Sequence, residues 1–289
     1  MPSDISSPQR NHNALQRAPL GLAARRRLLF RRAALLLVIA AAVLFADALF
    51  VEPYRIEVTH QEITGAVTEP LKIAHISDIH THGIGRRERE IFRILDDEKP
   101  DMIVVTGDTP GKVGGNYPEC KEVYEQLHAP LGVWFVRGNW ENDRLPRNER
   151  AYYREAGVKF LLNSSEVARP DVWVVGLDDP YSGTAKLDLA MQGVPNGVYT
   201  IALFHSPGYF DRIAGHVNLC LTGHTHGGQV HIPFVKPFWL PKGCGRYLEG
   251  WYSEHGSQMY VSRGIGTSIL PIRFLCRPEL AFIMIRPAA

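Results

Sequence analysis

Leu71-Lys72-Ile73-Ala74-His75-Ile76-Ser77-Asp78-Ile79-His80 opens on apolar and β-branched residues and closes on an Asp-x-His triplet. A short apolar run bounded by polar residues reads as a buried strand, which leaves the carboxylate and the imidazole in the turn after it. The construction recurs along the chain. Met102-Ile103-Val104-Val105-Thr106 leads into Gly107-Asp108, and Leu131 to Val136 leads towards Gly138-Asn139. Tyr199 to Phe204 ends at His205, and Val217 to Thr222 ends at Gly223-His224-Thr225-His226. In open α/β sheets, ligands gather beyond the carboxyl ends of the strands, so these segments are expected to converge on one edge.

Carboxylates and imidazoles that converge this way suit a pair of divalent cations. Two such ions, roughly 3.5–4 Å apart, share a bridging carboxylate, hold a hydroxide and clamp the oxygens of an in-line displacement. Asp108 is the candidate bridge. A ligand set rich in histidine favours manganese, iron or zinc over magnesium and calcium, which prefer oxygen donors. Taken singly, an Asp-x-His after a strand is most often a turn with a satisfied histidine; five motifs in one order make that reading improbable.

The ordered set Asp78-x-His80, Gly107-Asp108, Gly138-Asn139, His205 and Gly223-His224-x-His226 resembles the calcineurin-like metallophosphoesterase superfamily over about residues 70 to 286. The resemblance implies two mixed β-sheets packed face to face with helices outside, and hydrolysis of a phosphodiester, phosphomonoester or diphosphate by a metal-bound hydroxide. It assigns Asp78, His80, Asp108 and His226 to one metal, and Asp108, Asn139, His205 and His224 to the other. Tyr260 to Gly264, Pro271-Ile272-Arg273 and Pro278-Glu279 look like the membrane-anchored branch.

One motif departs from the family pattern. Where the superfamily has G-N-H followed by an acid, this chain reads Gly138-Asn139-Trp140-Glu141. Indole offers a single hydrogen bond and does not titrate usefully, so Trp140 cannot protonate a leaving group. Three readings follow: a substrate with an already good leaving group such as a diphosphate, a substitute acid at His82 or Glu141, or a metal-binding scaffold with weak or lost turnover. Trp140 reads equally as a wall for the substrate. Arg137, Arg263 and Arg273 are candidate phosphate contacts, since guanidinium fits phosphate through two parallel bonds. His75 reads as a core or supporting histidine, and His231 either approaches the site or is an ordinary strand residue. The glycine-rich stretch Pro110 to Asn116 either lets backbone approach a ligand or simply connects two elements.

Ahead of this domain, Ala33 to Val51 is apolar apart from Asp47 and long enough to cross a bilayer as a helix. Arg25, Arg26, Arg27, Arg31 and Arg32 precede it, which keeps the N-terminus cytoplasmic and puts the remainder on the extracytoplasmic side. Two other readings stay open: a cleaved signal peptide ending near Ala46-Asp47-Ala48, and a twin-arginine signal. The expected organisation is a disordered basic tail over 1–32, a transmembrane helix over 33–51 and a phosphoesterase domain over 52–289. Seven arginines and two aspartates give the first fifty residues +5; with the whole chain at +2, the rest carries −3. A mildly acidic domain gives no footprint for nucleic acid, whereas the basic tail suits anionic membrane lipids. A phosphate-bearing small molecule or lipid is the expected substrate. A pyrophosphatase that splits a nucleotide-diphospho-acylglucosamine on the way to lipid A is the second reading, although that substrate is met on the cytoplasmic face.

The four cysteines lack C-x-x-C spacing, and Cys244 with Cys276 is the pair to test for a disulfide. Helices are expected over Arg87–Asp97, Tyr117–Leu127, Arg147–Ala156, Ala185–Gln192 and Tyr209–Ala214. Further strands are expected over Val172–Leu177, Gln258–Ser262 and Leu280–Ile285.

Overall fold

The computed structural model describes residues 21–111, 117–143, 146 and 148–288. Two compact units divide at Phe45. Helix α1 (Leu22–Phe50) carries apolar residues on every face, and its side chains are exposed almost throughout. Its 29 residues extend about 43 Å at 1.5 Å per residue, and it is long and apolar enough to cross a membrane.

The second unit is built on two six-stranded sheets. Its strands are β1 (Glu57–Gly65), β2 (Leu71–Ile76), β3 (Met102–Val105), β4 (Val133–Phe135), β5 (Val158–Phe160), β6 (Ser164–Arg169), β7 (Val172–Gly176), β8 (Tyr199–Leu203), β9 (Leu219–Thr222), β10 (Gly250–Glu254), β11 (Ser257–Val261) and β12 (Glu279–Pro287). The first sheet runs β1-β12-β2-β3-β4-β5 and the second β10-β11-β9-β8-β7-β6. Among the described residues its α-helices are α2 (Arg86–Glu98), α3 (Tyr117–Tyr124), α4 (Asn139–Asp143), α5 (Glu149–Glu155), α6 (Leu187–Ala190) and α7 (Phe210–Ile213).

Alternation along the strands sorts side chains into three cores. Leu71 and Ile73 of β2, Met102 and Val104 of β3, and Trp134 of β4 pack against Ile201 and Leu203 of β8 and Leu219 and Leu221 of β9, which fills the space between the sheets. The intervening residues Ala74, Ile76, Ile103 and Val105 face α2, α3 and α5 instead. On the far side, Val175, Ala202 and Cys220 pack under Phe210 and Ile213 of α7. The result is the expected four layers, helix over sheet over sheet over helix.

Strand direction then places the turns. β2, β3 and β4 run parallel in adjacent positions, with Ile76 opposite Val105 and Val105 opposite Phe135. β8 and β9 are likewise parallel, with Leu203 opposite Leu221. Each sheet therefore delivers the carboxyl ends of neighbouring strands together. Several elements go beyond the sequence reading. Strands β1, β5, β6 and β10 and the short helix α4 are additional to the expected elements, and the helix expected over 185–192 contracts to α6. The helix expected from Arg147 begins at Glu149, Arg147 itself lying outside the described residues along with 112–116 of the glycine-rich stretch. Cys244 and Cys276 are both buried free thiols, so the pair singled out for a disulfide is not bonded.

Candidate metal centre

Every turn that leaves the parallel strands β2, β3, β8 and β9 carries a side chain to the same place. After β2, Asp78 and His80 join His226, which follows β9; after β3, Asp108 joins His205, which follows β8, and His224. All six are buried, and Asn139, at the first position of α4, has a buried side-chain oxygen with no hydrogen-bond partner. Within each group the candidate ligand atoms lie within 4.8 Å of one another.

The two groups meet at Asp108. Its Oδ1 accepts the Trp140 backbone N–H at 2.8 Å, while its Oδ2 stands 3.3 Å from His205 Nε2 and 3.9 Å from His80 Nε2. One carboxylate oxygen thus lies near an imidazole of each group, as a bridge requires. Asp78 is divided in the same way: Oδ2 accepts the Ser77 hydroxyl at 2.6 Å and the His224 N–H at 2.9 Å, whereas Oδ1 has no donor and lies 3.3 Å from His226 Nε2.

The histidines are fixed from behind. His80 Nδ1 donates to the Pro110 carbonyl at 3.1 Å, His205 Nδ1 to the Thr106 carbonyl at 2.7 Å, and His224 Nε2 to the Lys242 carbonyl at 2.8 Å. A ring nitrogen that donates to a carbonyl leaves the opposite nitrogen as a lone pair, so these contacts aim His80 Nε2, His205 Nε2 and His224 Nδ1 inward. The inward nitrogens also crowd one another: His80 Nε2 is 3.3 Å from His226 Nε2, and His224 Nδ1 is 3.0 Å from His205 Nε2. Lone pairs facing lone pairs, with the unsatisfied Asp78 Oδ1 3.3 Å from His226 Nε2, form a donor set that fits divalent cations.

The electrostatics agree at Asp78 and at three of the four histidines. Burial would raise the Asp78 carboxyl, but the His226, His205 and His80 rings hold it well below the usual carboxylate range. Burial lowers His80 and His224 and takes His226 down to about 3, which keeps these rings in the neutral form that binds metal. His205 moves the other way: burial opposes its charge, yet Asp108 and Asp78 pull it well above the ordinary histidine value. The field of two buried carboxylates favours positive charge at that point.

Backbone geometry is unusual here. Asp78, His80, Asp108, His224 and His226 all have φ between 46° and 71°, the left-handed region that side chains rarely adopt. Two glycines allow the close approach of these turns. A Cβ on Gly138 would lie 2.2 Å from Asp108 Oδ1, and one on Gly223 would lie 1.8 Å from Ser77 Oγ and 2.3 Å from Asp78 Oδ2.

The remaining sequence candidates divide. Trp140 tilts over His80 with ring centroids 4.3 Å apart, which makes it a wall of the site. His82 is exposed and lines, with His80 and Arg86, a cavity of about 1000 Å³. Glu141 requires correction as a substitute acid. Its carboxylate is fully buried and accepts the N–H groups of Asp108 at 2.9 Å, Thr109 at 2.9 Å and Gly138 at 2.8 Å, so it anchors the turns that carry the ligands. Burial, with the charge of Asp108, pushes its pKa up to about 7.

The three arginines also need correction, because each guanidinium faces protein partners. Arg137 pairs with Glu149 and bonds Asn142 at 3.0 Å. Arg263 lies between Glu57 at 3.0 Å, Glu279 at 3.4 Å and Glu249 at 3.7 Å. Arg273 is fully buried and donates to the carbonyls of Arg263, Gly264, Gly266 and Cys276. His75 is a buried supporting residue, 2.9 Å from the Thr106 hydroxyl, with its pKa lowered to about 4 by burial. His231 joins neither group and sits with Glu249 and Cys276. The sequence reading missed the supporting roles of Ser77 and Glu141. Ser77 adjoins a candidate ligand, which was a usable signal; the three amides around Glu141 come from two turns, those after β3 and β4, which was not.

A family model for calcineurin-like phosphoesterases matches residues 71–228. The chain is 27% identical over 261 residues to the metallophosphoesterase YkuE of Bacillus subtilis, a match that covers 83% of this chain and 88% of that protein. It is 30% identical over 229 residues to YkoQ of the same organism, named a metallophosphoesterase, across 73% of this chain and 82% of the relative. The phosphodiesterase YaeI of Escherichia coli is 27% identical over 230 residues, covering 74% of this chain and 82% of its own.

Proposed function

Because this chain belongs to the calcineurin-like phosphoesterases, metal-dependent phosphoric ester hydrolases, we propose that Asp78, His80, Asp108 and His226 hold one divalent cation and Asp108, Asn139, His205 and His224 a second. Two such ions would supply an activated water and neutralise the charge that develops on phosphorus-bound oxygens during in-line displacement. The chain's own contribution is positioning. Asp108 presents one oxygen to both groups, three histidines are held in a single tautomer by carbonyls, and Glu141 ties the turns after β3 and β4 together. Manganese, iron and zinc suit this mixture of imidazole and carboxylate.

Trp140 limits the substrate. It contributes an apolar wall beside His80 and no proton, so we assign the enzyme to esters whose leaving group needs little protonation: a diphosphate or an activated phosphodiester. His82, exposed in the cavity that contains His80, is the remaining candidate acid for poorer leaving groups. The apolar α1 is proposed as an uncleaved anchor over 33–51, with the body on the extracytoplasmic side because arginines precede the apolar run.

The observation that carries this reading is the set of inward-facing nitrogens backed by carbonyls beside two divided carboxylates. Hydrolysis of bis(p-nitrophenyl) phosphate by the full chain, with manganese and after chelation, tests it. Metal-dependent release of p-nitrophenol is expected. Two bound ions per chain without turnover in any divalent metal would overturn the hydrolase in favour of a scaffold. A reporter fused at the C-terminus tests sidedness, and activity of that reporter in the cytoplasm would reverse the orientation.

A further inference from the structure

Two recesses flank the candidate ligands, and their chemistry differs. The cavity of about 1000 Å³ is lined by His80, His82, Arg86, Arg87 and Ser268. A separate groove of about 420 Å³ is lined by His226, Val230, Phe238, Trp239, Leu270 and Ile272. Ile269 belongs to both walls, and the facing nitrogens of His80 and His226 are 3.3 Å apart. A molecule with its phosphate at those nitrogens therefore meets a polar recess on one side and an apolar one on the other.

The groove is apolar by construction. Gln229, the amide in its wall, spends its side chain on the lips: Nε2 donates to the carbonyls of Leu270 at 2.9 Å and Ile272 at 3.1 Å, and Oε1 accepts the Ser268 N–H at 2.7 Å. The same bonds hold the 268–272 segment beside the turn that carries His226. The rim is open, with Phe238, Trp239, Ile269 and Leu270 exposed by 77, 56, 73 and 59%. Contiguous exposure of this kind is uncommon on a soluble body and marks a binding surface.

The groove also adjoins the end of the apolar run. Ala48 is buried and its carbonyl accepts the Arg273 N–H at 3.0 Å, one residue on from Ile272 in the groove wall. Glu52 accepts the Cys276 N–H at 2.6 Å. Exposed Lys236 and Lys242 bracket Phe238 and Trp239, which suits an anionic headgroup layer.

We infer that the groove takes the hydrocarbon chain of an amphiphilic phosphate ester or diphosphate, drawn from the bilayer into which the apolar run leads. Its phosphate then lies at the paired ligand groups and its polar head in the larger cavity. This inference rests on the phosphoesterase reading and names the substrate class for it. Each methylene buried in the groove strengthens binding by up to about fourfold, and Trp239 supplies an amphipathic ring at the entrance.

The test uses the full chain in phosphatidylcholine nanodiscs loaded with manganese, with methyl, butyl and octyl phosphonate as probes. Calorimetric Kd values and inhibition of bis(p-nitrophenyl) phosphate turnover are both read. The octyl compound should bind at least about tenfold more tightly than the methyl compound. That ratio should collapse towards one in Leu270→Asp and, separately, in Trp239→Asp. Both positions are exposed, so neither change opens a core, and partition into the disc is common to all three proteins. A wild-type ratio near one overturns the inference, as does a ratio that survives both substitutions. A dimer in sedimentation that Trp239→Asp dissociates overturns it in favour of a second copy on this face. Absence of turnover with chain-length-dependent binding intact overturns the phosphoesterase reading and leaves the groove assignment standing.

Discussion

The two sheets contribute different chemistry to one site. The sheet containing β2, β3 and β4 supplies both carboxylates and His80; the sheet containing β8 and β9 supplies three imidazoles, His205, His224 and His226. Neither sheet alone brings a full ligand group together, because Asp78 and His80 need His226, and Asp108 needs His205 and His224. The core between the sheets is therefore also what aligns the site. Contacts within a single sheet would not achieve this; it takes the interleaving of Ile73 and Val104 with Leu203 and Leu221.

That division can be broken from either side. The largest effect is expected from Asp108→Asn, which removes the shared charge: turnover of bis(p-nitrophenyl) phosphate should fall by about three decades, about 4 kcal/mol, with loss of metal measured by elemental analysis. Retention of two ions and of rate would disprove the bridge. Next, Leu203→Ala in the inter-sheet core should lower unfolding free energy by about 2–5 kcal/mol in denaturant titration. If the sheets align the site, metal affinity should weaken with it; unchanged affinity would show that the rim holds itself. Glu141→Gln should come third. A carboxamide has one acceptor oxygen where three N–H groups converge, and metal affinity should drop about 10–100-fold, the usual cost of disturbing a group that orients ligands. The smallest effect is expected from Trp140→His, which restores a titratable ring beside His80. Rate should rise by about tenfold or more for alkyl phosphodiesters only, with aryl esters unaffected, and an equal gain on both would remove the leaving-group explanation.

Much of the candidate centre was legible because its candidate ligands lie within short segments that also announce their strands. Leu71 to His80 states both its burial and its chemistry in ten residues. Alternating strands and helices argued only for α/β layers; the two face-to-face sheets were what the family resemblance implied. What escaped was determined by partners remote in the chain. Arg263 looks available for phosphate until Glu57, 206 residues away, and Glu279 are seen beside it. Arg273 looks the same until four carbonyls close around it. β1 reads Glu57-Val58-Thr59-His60-Gln61-Glu62-Ile63, too polar for a buried strand, and it forms because β12 offers an edge for pairing along its whole length. The apolar groove has no period at all, being assembled from two loops around Gln229.

The left-handed backbone at five candidate ligand residues has a thermodynamic consequence. Each such residue costs of order 1–3 kcal/mol in isolation, so the folded chain is loaded with conformational energy at its rim. A cation that binds the native state and not the unfolded chain offsets that load, by about 2.7 kcal/mol at a free concentration one hundred times its dissociation constant. Heat resistance of this protein should therefore track the supply of transition metal in its surroundings, and a cell short of that metal would carry less of the enzyme as well as a slower one.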